Sequence, residues 1–239
     1  MLSVQPDELF GDGVFETIHL RPSGPFLLDR HLARLASSAA LLGLPEFVPD
    51  DQLTATRADG AEAALRIIRT RRSQHVAISA IPDGSLRERR EGIRVISAVV
   101  GPRPPWSLSK AKTLSYAESF AARRWAQERG ADDMLWFNPD GHVLEAPTAS
   151  IVWLAGDTLC TVPADAGILP GTTAAELLAR APQVGLHAAE RMITLDDLRE
   201  ADAIWLASAL RGLSEIRALD GAPRRRSRWT PVLLALLGY

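Results

Sequence analysis

Gly101 to Trp106 reads GPRPPW. Three prolines in six residues remove backbone donors and fix φ, so neither a helix nor a central strand runs through this stretch. The chain is expected to divide there into a small N-terminal α+β domain (1–100), a linker (101–107) and a larger C-terminal α+β domain (108–239). Upstream of the linker, Leu65–Arg69, His75–Ile81 and Ile93–Val100 read as strands, with Pro82-Asp83-Gly84 as a turn. Further back, Asp51 to Ala64 reads as a helix. Another helix starts from Asp29 as N-cap, with Leu32, Leu35, Ala36, Ala39 and Leu42 at helical spacing, and Gly43 ends it. Gly13–Leu20 (GVFETIHL) is a β-rich strand, and Phe26–Leu28 is a short apolar stretch after it.

Downstream, Tyr116–Arg129 reads as a helix stopped by Gly130, with Ala117, Phe120, Ala121 and Trp125 on one face. Met134–Phe137 is a strand and Asn138-Pro139-Asp140-Gly141 a turn. Val143-Leu144, Ser150–Leu154 and Thr158–Val162 follow as strands, the last two joined by a Gly156-Asp157 hairpin. Leu169-Pro170-Gly171 leads into a helix over Thr172–Arg180. Ala203–Ala207 is a strand and Trp229–Leu237 a short amphipathic helix. Strands and helices mix without a βαβ rhythm, so the class is α+β rather than a doubly wound sheet.

Composition narrows the function. The 239 residues are 46% hydrophobic and 23% charged, an ordinary globular balance. A formal net charge of −2 offers no global field for nucleic acid or an acidic membrane. The single cysteine, Cys160, makes neither an internal disulfide nor a multi-thiolate metal site. No run reaches the length of a membrane span. The first residues, MLSVQPDELFGDG, lack a basic start and an apolar stretch, so they do not read as a signal peptide; the expected location is the cytoplasm. The histidines have no paired metal spacing, and no G-x-S-x-G elbow marks a hydrolase. Arg224-Arg225-Arg226 with Arg228 reads as a solvated or dimer-rim patch rather than a nucleic-acid site, because Trp229 is the one aromatic beside it. Arg87, Glu88, Arg89, Arg90 and Glu91 read as a charged surface.

Several residues stand out chemically, each with two open readings. Lys112 lies in AKTLSYA, just after the linker. It is either an ordinary solvated lysine or a nucleophilic amine. The chain uses very few lysines, Lys110 and Lys112 being close neighbours, and arginine fills nearly every other basic position. Schiff-base chemistry needs an amine that loses its proton, which a guanidinium does not. LPGTT (Leu169–Thr173) opens a helix. Thr172 and Thr173 there are either a plain helix start or part of a phosphate site built from free N–H groups. Glu145 sits between strand-like runs, either pointing to water or pairing with a cationic heterocycle nitrogen. Arg34 is either part of a polar helix face with Arg30 or a bidentate phosphate ligand. Ser208 follows the strand AIWLA at a strand end, where sites often lie.

These pieces resemble, in order, the class IV aminotransferase family, which includes branched-chain aminotransferase, D-amino-acid aminotransferase and 4-amino-4-deoxychorismate lyase. The matching stretches are GDGVFET (Gly11–Thr17), LLDRHLARLASSAALLGLP (Leu27–Pro45), KTLSY (Lys112–Tyr116), GADDMLWFNPDGHVLEAPTASIVWL (Gly130–Leu154), GILPGTT (Gly167–Thr173) and LREADAIWLASALRGLSEIRALDG (Leu198–Gly221). The resemblance implies a two-domain fold-type IV architecture, like that of D-amino-acid aminotransferase, usually a homodimer, with pyridoxal 5'-phosphate (PLP) as cofactor between the domains. It implies that Lys112 bonds the cofactor, Glu145 pairs with its pyridine nitrogen, and Arg34, Thr172 and Thr173 bind its phosphate. Ser208 and Ala209 match a second loop near the phosphate, and Tyr116 a tyrosine that approaches the cofactor hydroxyl in some members.

Two departures stand out. Ten residues precede Gly11, where members carry a longer stretch with an extra strand, so that strand is expected to be absent or shortened. Arg71-Arg72-Ser73-Gln74-His75 replaces a glycine-rich turn found in many members. KTLSY and SALRGL look closest to lyase sequences. The expected reaction is therefore cleavage of 4-amino-4-deoxychorismate to 4-aminobenzoate and pyruvate. Transamination of a D-amino or branched-chain amino acid is the alternative. A binding protein that kept the fold and lost turnover is a third possibility, opposed by the presence of Lys112 and Glu145.

Overall fold

The structure is a computed structural model that describes residues 9–46, 53, 56–58, 60 and 62–239. The chain forms two compact units. The first runs up to Pro82 and takes back Trp106–Tyr116; the second holds Asp83–Pro105 and Ala117–Tyr239.

In the first unit, β1 (Gly13–Arg21), β2 (Gly24–Pro25), β3 (Ala63–Thr70) and β4 (Gln74–Ala80) form one antiparallel sheet in the order β2-β1-β3-β4. Helix α1 (Leu28–Leu41) supplies Leu35 and Ala39 to a core shared with Val14, Ile18 and Leu65. Side chains alternate along a strand, so Val14, Glu16, Ile18 and Leu20 form one row, and all four are buried. That row carries a carboxylate into an apolar core, a placement the site below accounts for. Helix α1 begins two residues earlier than its composition suggests. Leu27, in the left-handed region at φ 57°, is its N-cap, and Asp29 lies in the first turn, where a carboxylate suits the helix dipole. Gly43 follows the helix at φ 59°, as expected of a terminating glycine. Of the helix expected over Asp51–Ala64, Ala63 and Ala64 belong to β3, residues 56–58 and 62 form no helix, and half of the span from 51 to 62 lies outside the described residues, as does the N-terminal edge before Leu9.

The second unit contains α2 (Asp83–Glu91), β5 (Ile93–Val99), α3 (Ala117–Gln127), β6 (Asp133–Phe137), β7 (Ser150–Ala155) and β8 (Thr158–Thr161). After these come α4 (Thr172–Arg180), β9 (His187–Glu190), α5 (Leu195–Arg199), β10 (Ala203–Ser208), β11 (Gly212–Leu219), β12 (Ala222–Pro223) and α6 (Trp229–Leu236). The strands make a mixed sheet in the order β6-β5-β11-β10-β7-β8-β9, with β12 beside β11. Strand β5 runs parallel to both β6 and β11, whereas β10 is antiparallel to β7 and β11. The central strands SIVWLA and AIWLAS are buried along almost their whole length, which explains their continuous apolar character. Among the described residues no helix is long and apolar enough to cross a membrane.

Several expectations change. The expected boundaries at 100 and 108 do not coincide with the compact units. Strand β5 joins the second sheet through its parallel neighbours, and Thr113 bridges Val14 of β1, which returns the segment around Lys112 to the first unit. Pro82-Asp83-Gly84 is the start of α2 rather than a free turn. Val143 and Leu144 make no regular strand; Val143 forms an isolated bridge to Phe137. On α3 the core-facing residue is Ala126, while Phe120 and Trp125 remain exposed. The Arg224 run is not simply solvated, since Arg224 donates to the carbonyl oxygens of Arg199 and Ala201, and Arg226 to that of Arg90. Glu88, expected on a charged surface, is buried. It meets Arg211 at 3.2 Å and Arg123 at 3.0 Å. Buried Asp133 meets the same two arginines at 2.8 and 3.5 Å. Two cations and two anions thus form a charge-balanced cluster in the second unit.

Candidate active site

In the first unit, the segment Ala111–Tyr116 lies along β1. The amide N–H groups of Phe15 and Leu114 donate to the carbonyl oxygens of Lys112 (2.9 Å) and Gly13 (2.8 Å). The Lys112 amide donates to Ser38 Oγ on α1 at 3.0 Å. These bonds fix the lysine backbone on both sides. Its side chain is half-buried, and Nζ lies 2.9 Å from Tyr116 Oη. Nζ also stands 4.5 Å from the centre of the Phe15 ring, which meets Tyr116 edge-on with centroids 5.0 Å apart. The amine is therefore held by one hydroxyl and two aromatic rings rather than by a carboxylate ion pair.

Beside this segment, the inward row of β1 brings Glu16 against α1. Arg34 grips it with two hydrogen bonds, Nε to Oε1 at 2.7 Å and Nη2 to Oε2 at 2.9 Å. His31 Nδ1 lies 2.7 Å from Oε2. Burial alone would raise the Glu16 pKa; the Arg34 charge and the hydrogen bonds from His31 and Arg34 outweigh it and hold the carboxyl at about 2 instead of the ordinary 4.5. Burial also pushes His31 below its ordinary value, against the pull of Glu16. Both shifts predict acid sensitivity. The Glu16 contribution is complete above its ordinary value and disappears as the pH falls through the folded value, and neutral His31 likewise favours the fold above its own ordinary value. The Glu16 share is about 3 kcal/mol. Thermal melting followed from pH 7 to pH 2 should fall, and Glu16→Gln should flatten the lower limb of the curve. An unchanged slope would refute this origin.

In the second unit the remaining candidates converge. Glu145 is 8% exposed. Its Oε2 accepts the Leu169 N–H at 3.2 Å, and its Oε1 pairs with Arg103 at 3.2 Å. Leu169 leads directly into α4, whose first residues, Thr172 and Thr173, are buried. The N–H groups of the first helical turn lack intrahelical acceptors, which makes this end electropositive. Gly171 caps α4 against Ser150. A Cβ on Gly171 would lie 2.1 Å from Ser150 Oγ, so only glycine permits this approach. Ser150 pairs with Ala207 across β7 and β10, which brings the turn Ser208–Arg211 alongside. Arg211 Nη2 donates to Thr148 Oγ1 at 2.7 Å. Glu145, the start of α4 and the turn after β10 therefore form one neighbourhood.

Of the residues singled out by sequence, the first unit joins Lys112 and Tyr116 and sets Arg34 on Glu16. The second joins Glu145, Thr172, Thr173, Ser208 and Ala209. Sequence reasoning missed Glu16, His31, Ser38, Arg103 and Arg211. For Glu16 a signal was available, because in a strand its side chain falls on the same face as Val14, Ile18 and Leu20. Arg103 carried no such signal; its partner lies 42 residues away.

The amino-transferase class IV family model matches residues 13–219. A bifunctional aminodeoxychorismate lyase / D-amino acid transaminase from Mycobacterium tuberculosis is 34% identical, over 93% of this chain and 86% of its own length. A solved hypothetical aminotransferase from Mycobacterium tuberculosis, in a PLP-bound form, superposes with a TM-score of 0.89 at 32% identity, covering 99% of this chain and 92% of that one. A fold IV-transaminase from Curtobacterium pusillum gives a TM-score of 0.89 at 37% identity, covering 99% and 88%. With the family's sequence pattern across most of its length and the family's fold throughout, the chain belongs to the class IV aminotransferases, a family of PLP-dependent enzymes.

Proposed function

We propose that the chain is a PLP-dependent lyase that converts 4-amino-4-deoxychorismate to 4-aminobenzoate and pyruvate, with Lys112 as the bonding and proton-transferring amine. The observation that carries this reading is the Lys112 amine, half-buried and held 2.9 Å from Tyr116 Oη against the Phe15 ring. The donor set fits the cofactor. There is an amine with no carboxylate pair among the described residues for the aldehyde, a buried carboxylate for a ring nitrogen, and, for a phosphate, a helix start narrowed by Gly171.

When bound, PLP supplies an aldehyde for amine exchange and a ring that takes up negative charge. The residues do the rest. Lys112 Nζ, as the free amine, takes the proton from the substrate carbon bearing the amino group, and Tyr116 Oη orients that amine. Glu145, positioned by the Leu169 N–H and by Arg103, keeps a ring nitrogen protonated. Thr172, Thr173, Ser208 and Ala209 would bind the phosphate, and Arg34 carries the same assignment from the family resemblance. Loss of enolpyruvate from the adjacent carbon is driven by aromatisation of the remaining ring.

A second reading, D-amino-acid transamination, is supported by the Mycobacterium tuberculosis relative, whose name carries both activities. One preparation tests both. Pyruvate release from 4-amino-4-deoxychorismate without added keto acid is the expected result. Activity that strictly requires 2-oxoglutarate or pyruvate as acceptor would replace the lyase reading with the second.

A further inference from the structure

The turn that follows β10 is held in an unusual way. Its three carbonyl oxygens are all engaged from one side of the chain's own structure. Tyr239 Oη donates to the Ala209 oxygen at 2.5 Å. Arg89 donates to the Leu210 oxygen through Nη2 at 2.6 Å and to the Arg211 oxygen through Nε at 3.1 Å. The two clamping residues are themselves joined, with the Arg89 guanidinium 4.3 Å from the centre of the Tyr239 ring. Gly212, at φ 64°, lets that ring approach; a Cβ there would meet two ring carbons at 3.0 Å. By contrast, among the described residues no protein acceptor takes the N–H groups of Ala209, Leu210 or Arg211.

Consecutive uncommitted amides form a concavity suited to an anion. A turn that presents amides must have its carbonyl dipoles held away, since a carbonyl turned inward would repel a phosphate. We propose that Arg89 and Tyr239 are positioning residues that lock the Ser208–Arg211 turn in its amide-presenting form and so set affinity for the phosphate of the cofactor. This rests on the reading of the chain as a PLP enzyme in which this turn serves the phosphate. Neither residue belongs to the phosphate site itself: their polar groups are spent on the carbonyls.

The test uses the full-length protein freed of cofactor and titrated separately with PLP and with pyridoxal, which lacks the phosphate, following the absorbance of the bound ligand. Tyr239→Phe keeps the ring and its stacking and removes one hydrogen bond. It should weaken PLP binding about 2- to 12-fold, the usual range for one such bond, and leave pyridoxal binding within about twofold of the parent. Arg89→Met removes two bonds and should weaken PLP more, again sparing pyridoxal. Inorganic phosphate should compete with PLP less effectively in both variants than in the parent. If the parent protein takes up no PLP, the underlying reading fails and this inference falls with it. If the parent binds PLP and Tyr239→Phe either leaves its affinity unchanged or weakens PLP and pyridoxal equally, the positioning role is overturned while the PLP reading stands.

Discussion

Replacing Lys112 by alanine is expected to lower turnover about ten-thousandfold, the upper range for loss of an acid–base group. The expectation follows from position rather than residue type. Lys110 is exposed, whereas the Lys112 backbone is tied to β1 and to Ser38, and its amine is set against Tyr116 and Phe15. The two lysines therefore provide an internal comparison. Borohydride treatment in the presence of PLP, followed by peptide mass analysis, should leave the cofactor mass on the Lys112 peptide in the parent protein and on neither lysine in Lys112→Ala. Lys110→Ala should behave like the parent. Lys112→Arg keeps the positive charge and supplies no amine able to lose its proton, so it should be as inactive as the alanine variant. Retained turnover in Lys112→Ala, or cofactor trapped on Lys110, would refute the assignment.

The largest effect on stability is expected at Asp133, which is given no role in the reaction but pairs with Arg211 at the end of the turn after β10. Its carboxylate is fully buried and lies 2.8 Å from Arg211 and 3.5 Å from Arg123. These contacts are short but poorly aligned as hydrogen bonds, so charge balance does most of the holding. Asp133→Ala leaves buried Arg211 and half-buried Arg123 facing Glu88 alone. Breaking a buried ion pair in this way costs about 3–5 kcal/mol, or roughly 10 °C in Tm for a chain of this size. Asp140→Ala, at an exposed turn position, should shift Tm by less than about 2 °C. Adding Arg123→Met to Asp133→Ala restores the balance of charges and should recover part of the loss, which a double-mutant cycle on thermal melting would measure. A drop of under 2 °C in Asp133→Ala would mean that water already screens the cluster.

Much of this protein is legible from local pattern. The β-rich run GVFETIHL marks β1, the continuous apolar runs identify β7 and β10, and the Pro-Gly entry followed by helical spacing marks α4 from Thr172 to Arg180. The rarity of lysine and the order of the six family-like stretches point to Lys112 and to PLP chemistry. Each of these depends on neighbours within a few residues, where period and turn chemistry act directly.

Tertiary structure decided what distant residues do to one another. Local pattern assigns β5 to the domain it follows in sequence, but its parallel partners β6 and β11 draw it into the second sheet. The linker prolines suggest one crossing, yet the bridge from Thr113 to Val14 brings the lysine segment back to the first unit. Glu88 reads as surface charge because arginines flank it, and only the approach of Arg123 and Arg211 makes its burial tolerable. The same holds for Arg103 on Glu145 and for Arg89 and Tyr239 on the turn after β10. A charge or a carbonyl enters the interior only when its partner arrives with it, and that partner is chosen by the fold and not by the adjacent sequence.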